Sequence, residues 1–306
     1  MLFISHRSNA QEAKDYFTRD LAKADYYIKD APEVAGQWHG LGAELLGLNG
    51  KVKQEDFFAL CDNLNPETGQ QLTARMKADR RVLYDFTFDA PKSVTLAYEI
   101  GKDERIRGAF EEAVSETMGS MEGAVMSRVR KGGKDEDRAT ANLIWASFTH
   151  RTTRPVDGIP DPQLHTHAVA FNATYDTVED TWKAAQFGNL VRDKGYYQAE
   201  FHSRLAEKLA GLGYGIARDG NSFRLAGIER AVSEKFSRRT AVIEAEAQRL
   251  GITDAKTKAS WDARPARKRT RAANPLRSCA PSGRRGLRMM SVGALLKHGG
   301  GRRRIR

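Results

Sequence analysis

The run Asp161-Pro-Gln-Leu-His-Thr-His-Ala-Val169 alternates polar and apolar residues, and it predicts a strand over residues 164–174. Residues two apart in a strand project from the same face, so His165 and His167 share one. Upstream, residues 142–150 predict another strand, which ends in Phe148-Thr-His150. Between the two, residues 151–162 hold three prolines and predict a loop. If the strands are antiparallel neighbours, the imidazoles of His150, His165 and His167 converge. Neutral imidazole binds divalent transition ions, and three protein ligands leave positions open for substrate oxygens. There is also a plainer reading. A strand histidine is ordinarily a hydrogen-bonded residue, and His-x-His recurs by chance. The pair gains weight from its apolar flanks and from the third histidine at the end of a strand.

Working outward, Arg81-Val-Leu-Tyr-Asp-Phe-Thr-Phe88 is rich in β-formers and predicts a strand, broken by Asp89-Ala-Pro-Lys-Ser93. Residues 9–29 carry helical spacing and the aromatic residues Tyr16, Phe17, Tyr26 and Tyr27. Helices are predicted over 53–63, 103–130, 186–212 and 227–250. Residues 214–225 read as a hairpin turned at Asp219-Gly220. The expected fold class is α+β: an antiparallel central sheet of about five strands, bearing the histidines, with helices packed on it.

A phenol has a pKa near ~10 and is a weak nucleophile until its proton is taken. Activated, Tyr16, Tyr26 or Tyr27 could attack a phosphodiester and hold the strand end as a phosphotyrosine. Taken alone, the tyrosines read better as the packing face of an amphipathic helix. Asp85 lies between Tyr84 and Phe86 in a largely apolar strand, where an unpaired carboxylate is costly. It could orient a metal-bound histidine or accept a tyrosine proton; a surface-facing position is the competing view.

The 306-residue chain is 40% hydrophobic, enough for a sizeable core. Its two cysteines, Cys61 and Cys279, provide neither a disulfide framework nor a cysteine-based zinc site. No stretch approaches the length of a membrane span, and the short apolar start is no signal-peptide core, so a cytoplasmic protein is expected. The net charge of +11 is misleading. From Arg264 onward there are 14 basic residues and no acidic ones, so the rest of the chain is near neutral, at −3. Overall charge is therefore weak support for nucleic-acid binding. Domain limits are expected at 1–255 for a folded domain and 256–306 for a basic tail. The tail reads either as a disordered DNA-attracting segment or as out-of-frame or truncated sequence. The abrupt loss of carboxylates favours the second.

Several stretches in unbroken order give the chain a resemblance. They are Asp25-Tyr-Tyr-Ile-Lys-Asp30, Gln37-Trp-His-Gly-Leu-Gly-Ala-Glu-Leu-Leu-Gly-Leu48, Asp85-Phe-Thr-Phe-Asp-Ala-Pro-Lys-Ser-Val94, Phe148-Thr-His150 and Asp161-Pro-Gln-Leu-His-Thr-His-Ala-Val169. Leu212-Gly-Tyr214 and Phe236-Ser-Arg-Arg239 add to them. Over about residues 1–255 the chain resembles the two-tyrosine conjugative relaxases of the HUH endonuclease superfamily, the MobF class. The resemblance implies site- and strand-specific nicking and rejoining of DNA at a plasmid origin of transfer. Tyr16 would attack the scissile phosphate, giving a 5′-phosphotyrosine and a free 3′-hydroxyl, and Asp85 would position or deprotonate it. Tyr26 would be the second nucleophile, with Tyr27 beside it. His150, His165 and His167 would hold a divalent metal, Mg²⁺ or Mn²⁺ in the first place, with Zn²⁺ or Ni²⁺ as alternatives. Partners implied are single-stranded origin-of-transfer DNA with its adjacent hairpin, relaxosome accessory proteins, and the coupling protein of a type IV secretion system. The protein would act in the cytoplasm and be carried with the DNA into the recipient cell, without membrane insertion.

The chain departs from this family in two ways. The family's first tyrosine is usually one of an adjacent pair, whereas Phe17 follows Tyr16 here, and the interval to Tyr26 is slightly long. There is also no Gly-x-x-x-x-Gly-Lys-Ser/Thr loop, so the helicase usually fused to these relaxases is not in this chain. One rival is a rolling-circle replication initiator, which usually carries its tyrosines after its histidines. A non-catalytic origin-binding remnant is another, disfavoured by the joint retention of Tyr16, Asp85 and the histidines. A metal hydrolase unrelated to DNA would need further ligands after the His-x-His, and none appears between Ala168 and Thr174.

Overall fold

The computed structural model describes residues 1–22, 35–74, 80–249 and 251. In chain order the first half runs β1 (Leu2–Arg7), α1 (Ala10–Tyr16), a π-helical turn (Phe17–Leu21), β2 (Gln37–His39), α2 (Leu41–Leu45), α3 (Gln54–Cys61), β3 (Leu83–Asp89), α4 (Lys92–Gly101) and α5 (Glu104–Gly123). It continues with β4 (Met126–Lys131), β5 (Lys134–Ala139), β6 (Trp145–Thr152), β7 (Pro162–Phe171), β8 (Thr174–Asp176), β9 (Thr181–Lys183) and β10 (Ala185–Gln186). The chain then passes through α6 (Gly188–Arg192), α7 (Lys194–Gly211), the hairpin β11 (Ile216–Asp219) and β12 (Ser222–Leu225), α8 (Arg230–Lys235) and α9 (Arg238–Arg249).

The centre is a five-stranded antiparallel sheet in the order β1-β3-β7-β6-β2. Alternation along its strands sorts the side chains onto two faces. Phe86, Phe88, Leu164, Ala168 and Trp145 turn one way and are buried with Val94 and Tyr98 of α4, Phe110 and Met118 of α5, and Phe201 of α7. Val169, Phe171, Ala146 and Phe148 turn the other way and pack with Ala13, Tyr16 and Phe17, and with Phe57 and Leu60 of α3. Toward one end of this second face, the apolar positions give way to Asp85, His150, His165 and His167. The site is therefore a continuation of a packed core layer.

Several predicted boundaries move. The helix expected over 103–130 stops at Gly123, and Met126–Lys131 pairs with Lys134–Ala139 as a hairpin. A small-residue helix and a polar strand share a similar pattern here, and the turn at Gly132-Gly133, with φ +56 and +80, decides between them. Residues 89–93 do break β3, but α4 begins at Lys92, inside the breaker. The 214–225 hairpin turns on Gly220-Asn221, because Asp219 pairs directly with Ser222 and Gly220 takes φ +60. The N-terminal helix is short, and its last turn is π-helical. Tyr26 and Tyr27, with residues 252–306, lie outside the described residues.

Candidate active site and metal centre

β6 and β7 are antiparallel neighbours, and His150 stands directly across from His165. The register shifts between His150 and Thr152, an irregularity of the kind that re-aims side chains beside functional sites. The three predicted histidines come together: ring centres are 5.3 Å apart for His150 and His165, 5.6 Å for His150 and His167, and 5.2 Å for His165 and His167.

Each ring is oriented through its Nδ1. His165 Nδ1 donates to the Gln163 carbonyl at 2.9 Å. His167 Nδ1 donates to the Asp85 carboxylate, 3.0 Å from Oδ2 and 3.1 Å from Oδ1. His150 forms a backbone hydrogen bond with Leu21, in the π-turn after Tyr16, while its Nε2 is buried with no partner. With Nδ1 carrying the proton, the lone pair of such a ring when neutral sits on Nε2, the arrangement that oxygen acceptors impose on metal-ligating histidines. Burial, then the charges of His165 and His167, push His150 down to about 3, so its ring is neutral. Among the described residues, no group of three or more His, Cys, Asp or Glu side chains is placed so as to hold a metal ion as it stands. The donor chemistry still fits an ion. With metal–nitrogen bonds of about 2.1 Å, imidazoles radiating from one centre have ring centres roughly 5 Å apart.

Asp85 joins this cluster to Tyr16. It is buried at 2% exposure on β3. Its Oδ2 accepts from Tyr16 Oη at 2.6 Å, and both oxygens accept from Thr87 Oγ1 at 3.2 Å. Tyr16 Oη and Thr87 Oγ1 each lie 3.1 Å from His167 Nδ1. Burial alone would raise the Asp85 carboxyl, but the His167 charge and the hydrogen bonds from His167 and Tyr16 hold it below its ordinary value. Burial would lower His167; the Asp85 carboxylate outweighs that and raises it. Burial first, then the charge and hydrogen bond of Asp85, raise the Tyr16 phenol well above its usual range, with Arg7 opposing. The resting phenol is therefore protonated, with its proton directed at a carboxylate.

Position 17 behaves differently. The Phe17 ring is 4.5 Å from that of Phe57 and 5.8 Å from that of Phe148, and it is buried at 5% exposure. The helical turn of about 100° per residue aims Tyr16 at the cluster and sends its neighbour into the core. A hydroxyl at position 17 would be buried among aromatic rings.

The remaining motif residues brace the histidine strand. Ala90 N donates to Leu164 O at 3.0 Å, Gln163 Nε2 to Ala90 O at 2.8 Å, Lys92 Nζ to Pro162 O at 2.7 Å and Leu164 N to Thr95 Oγ1 at 3.1 Å. Asp161 is 2% exposed and accepts from Arg238 N at 2.8 Å and Arg238 Nε at 2.7 Å. Thus Asp89-Ala-Pro-Lys-Ser93 and Phe236-Ser-Arg-Arg239 grip the start of the run that carries His165 and His167. Two contacts of the site were not foreseen from sequence. Thr87 lies two residues from Asp85 on a predicted strand, so its shared face was readable. Arg7, whose guanidinium carbon is 3.9 Å from the Tyr16 ring centre, carried no signal, because only the pairing of β1 with β3 sets it beside the site.

Comparison with known proteins gives one consistent match. The profile of the TrwC relaxase family matches residues 10–279. The multifunctional conjugation protein TraI of Escherichia coli is 31% identical over 262 residues, covering 78% of this chain and 14% of that protein, so the chain spans only a small part of its curated relative. A metal-bound structure of the conjugative relaxase TrwC in complex with oriT DNA superposes with a TM-score of 0.76 at 30% identity, covering 91% of this chain and 93% of that one. A TrwC complex with a 27-mer DNA comprising the recognition hairpin and the cleavage site gives 0.74 at 29% identity, covering 92% and 93%. Among the described residues no helix is long and apolar enough to cross a membrane.

Proposed function

Because this chain belongs to the TrwC relaxase family, we propose that it nicks and rejoins one DNA strand at an origin of transfer, with Tyr16 as the first nucleophile. Tyr16 Oη attacks the scissile phosphorus, the bond to the 3′-oxygen breaks, and a 5′-phosphotyrosine and a free 3′-hydroxyl result. Asp85 Oδ2, 2.6 Å from the hydroxyl, is positioned to take the phenolic proton as the new bond forms. Asp85 also holds the His167 ring by its Nδ1, so one carboxylate orients the nucleophile and a candidate ligand together. His150, His165 and His167 would hold a divalent ion, which supplies polarisation of the phosphate oxygens and offsets their developing charge. Rejoining is the same displacement run backwards by the 3′-hydroxyl, and the retained phosphoester makes ATP unnecessary.

The observation that carries this reading is the chain of hydrogen bonds from Tyr16 through Asp85 to His167, beside two further imidazoles and the unpartnered Nε2 of His150. Sequence resemblance further supports Tyr26, with Tyr27 beside it, as the second nucleophile, and Mg²⁺ or Mn²⁺ as the ion. The relatives support single-stranded origin DNA with its adjacent hairpin as the substrate. Accessory proteins, a coupling protein and cytoplasmic action followed by transfer with the DNA belong to the same proposal.

The test is incubation with a labelled strand of the encoding element's transfer origin, with Mg²⁺ or Mn²⁺ and with EDTA, beside Tyr16→Phe. The expected result is metal-dependent cleavage and a protein–DNA adduct that survives denaturation and is lost in Tyr16→Phe. An adduct that persists in Tyr16→Phe moves the role to Tyr26 or Tyr27. Binding without cleavage favours a non-catalytic origin-binding remnant.

A further inference from the structure

Arg7 ends β1, half-buried, with its guanidinium carbon 3.9 Å from the centre of the Tyr16 ring. It lies over the face of the ring, while Asp85 meets the hydroxyl at its tip. Its Nη1 donates to Ser5 Oγ at 3.2 Å and to the His6 carbonyl at 3.0 Å. Among the described residues Arg7 forms no ion pair with a carboxylate. Other arginines near the site are engaged differently: Arg151 with Glu99, Arg154 with Asp20 and Arg238 with Asp161, at 2.8, 2.8 and 2.7 Å. The Arg7 charge is felt by Asp85 through space, yet no carboxylate oxygen among the described residues meets its guanidinium, which faces the Tyr16 ring with donors that an anionic ligand can use.

We propose that Arg7 binds the scissile phosphodiester, donating N–H bonds to its non-bridging oxygens before, during and after transfer to Tyr16. The ligand is a monoanionic phosphodiester, which matches the planar fork of guanidinium donors. The inference rests on Tyr16 being the nucleophile. In the step itself the Tyr16 Oη–phosphorus bond forms and the phosphorus–3′-oxygen bond breaks. The phenolic proton passes to Asp85, the leaving oxygen takes up a proton, and Arg7 stays protonated throughout. Its donors meet the charge that grows on the phosphate oxygens, while stacking against the ring keeps the guanidinium beside the attacking atom.

Single-turnover cleavage of saturating transfer-origin strand by the full chain, compared among wild type, Tyr16→Phe, Arg7→Lys and Arg7→Gln, tests this. Arg7→Gln is expected to cleave roughly 100-fold more slowly, with its adduct still on Tyr16 and with Arg7→Lys intermediate. In a Tyr16→Phe background, Arg7→Gln is expected to lower the salt dependence of strand binding by about 0.7 in log–log slope, one phosphate contact. Wild-type cleavage and slope in Arg7→Gln would overturn the proposal. So would equal impairment of both Arg7 variants with a lowered melting temperature, which marks a packing role. If the wild type forms no adduct, the nucleophile assignment falls, and the slope then decides for Arg7: reduced supports the phosphate contact, unchanged overturns it.

Discussion

Asp85 joins the two halves of the site at the scale of a single residue. It accepts from Tyr16, Thr87 and His167 at once, and its burial makes each of those bonds matter. Asp85→Asn keeps the shape but puts a donor amide where Tyr16 and His167 both need an acceptor. Adduct formation is expected to fall by roughly 10²–10⁴-fold. Metal affinity measured by calorimetry should drop about 10–100-fold, and unchanged affinity would detach His167 from the ligand set. His202, far from this cluster on α7, makes a pH prediction. Burial pushes its ring down to about 4. Because the unfolded chain takes up that proton near pH ~6.5 and the folded chain does not, stability is lost as pH falls from there toward 4 and levels off below. His202→Phe, seated among Phe201 and Phe223, should lose less melting temperature between pH 7 and pH 4.5 than the wild type does.

At the scale of elements, the site depends on how strand ends and helix ends are tied. The π-turn at Phe17–Leu21 follows Tyr16 directly and brings the Leu21 backbone to His150, so the tyrosine helix and the histidine strand share a hydrogen bond. The edge strand β2 is held by backbone contact. Gly40 has φ +92, and a Cβ there would sit 2.4 Å from the Leu143 carbonyl oxygen. Glu122 completes the joint, with Oε1 accepting from Leu41 N at 2.8 Å and Leu143 N at 2.7 Å. Gly40→Ala is expected to destabilise the protein by more than about 1 kcal/mol, read as a shift in denaturant midpoint. Helical periodicity identified α3 well, because it buries one apolar stripe, but the helix expected over 186–212 divides into α6 and α7 and the one over 227–250 into α8 and α9. Periodicity also overran α5 into β4, because local pattern does not show that Met126–Lys131 pairs across a glycine turn.

At the scale of the molecule, one sheet serves two purposes. The face covered by α4, α5 and α7 buries a large apolar core and anchors the fold. The opposite face is apolar under α1 and α3 and becomes chemical at its end. The C-terminal helices are joined to that end by Arg238, whose partner Asp161 is buried immediately before the histidine run. Arg238→Ala would leave that carboxylate buried without its cation, at a cost of about 1–3 kcal/mol. Amide exchange should rise in residues 230–249 and 161–165; faster exchange confined to the helices would show that the clamp does not reach the strand.

The sequence by itself singled out the histidines and Asp85 as candidates and put them on strands, because the two-residue period of His165 and His167 and the isolation of Asp85 in an apolar run are local facts. It also determined the antiparallel architecture, through alternation that only a one-sided strand needs. Only the tertiary structure decided that β3 lies beside β7 and β7 beside β6. The first of those pairings joins segments more than sixty residues apart, and together they turn three separate signals into one group of neighbouring side chains. It also turned position 16 toward the histidines and position 17 into the core, and it brought Arg7 over the Tyr16 ring. The direction of a helix face and the neighbour of a strand end are set by what packs against them, and no local pattern encodes that.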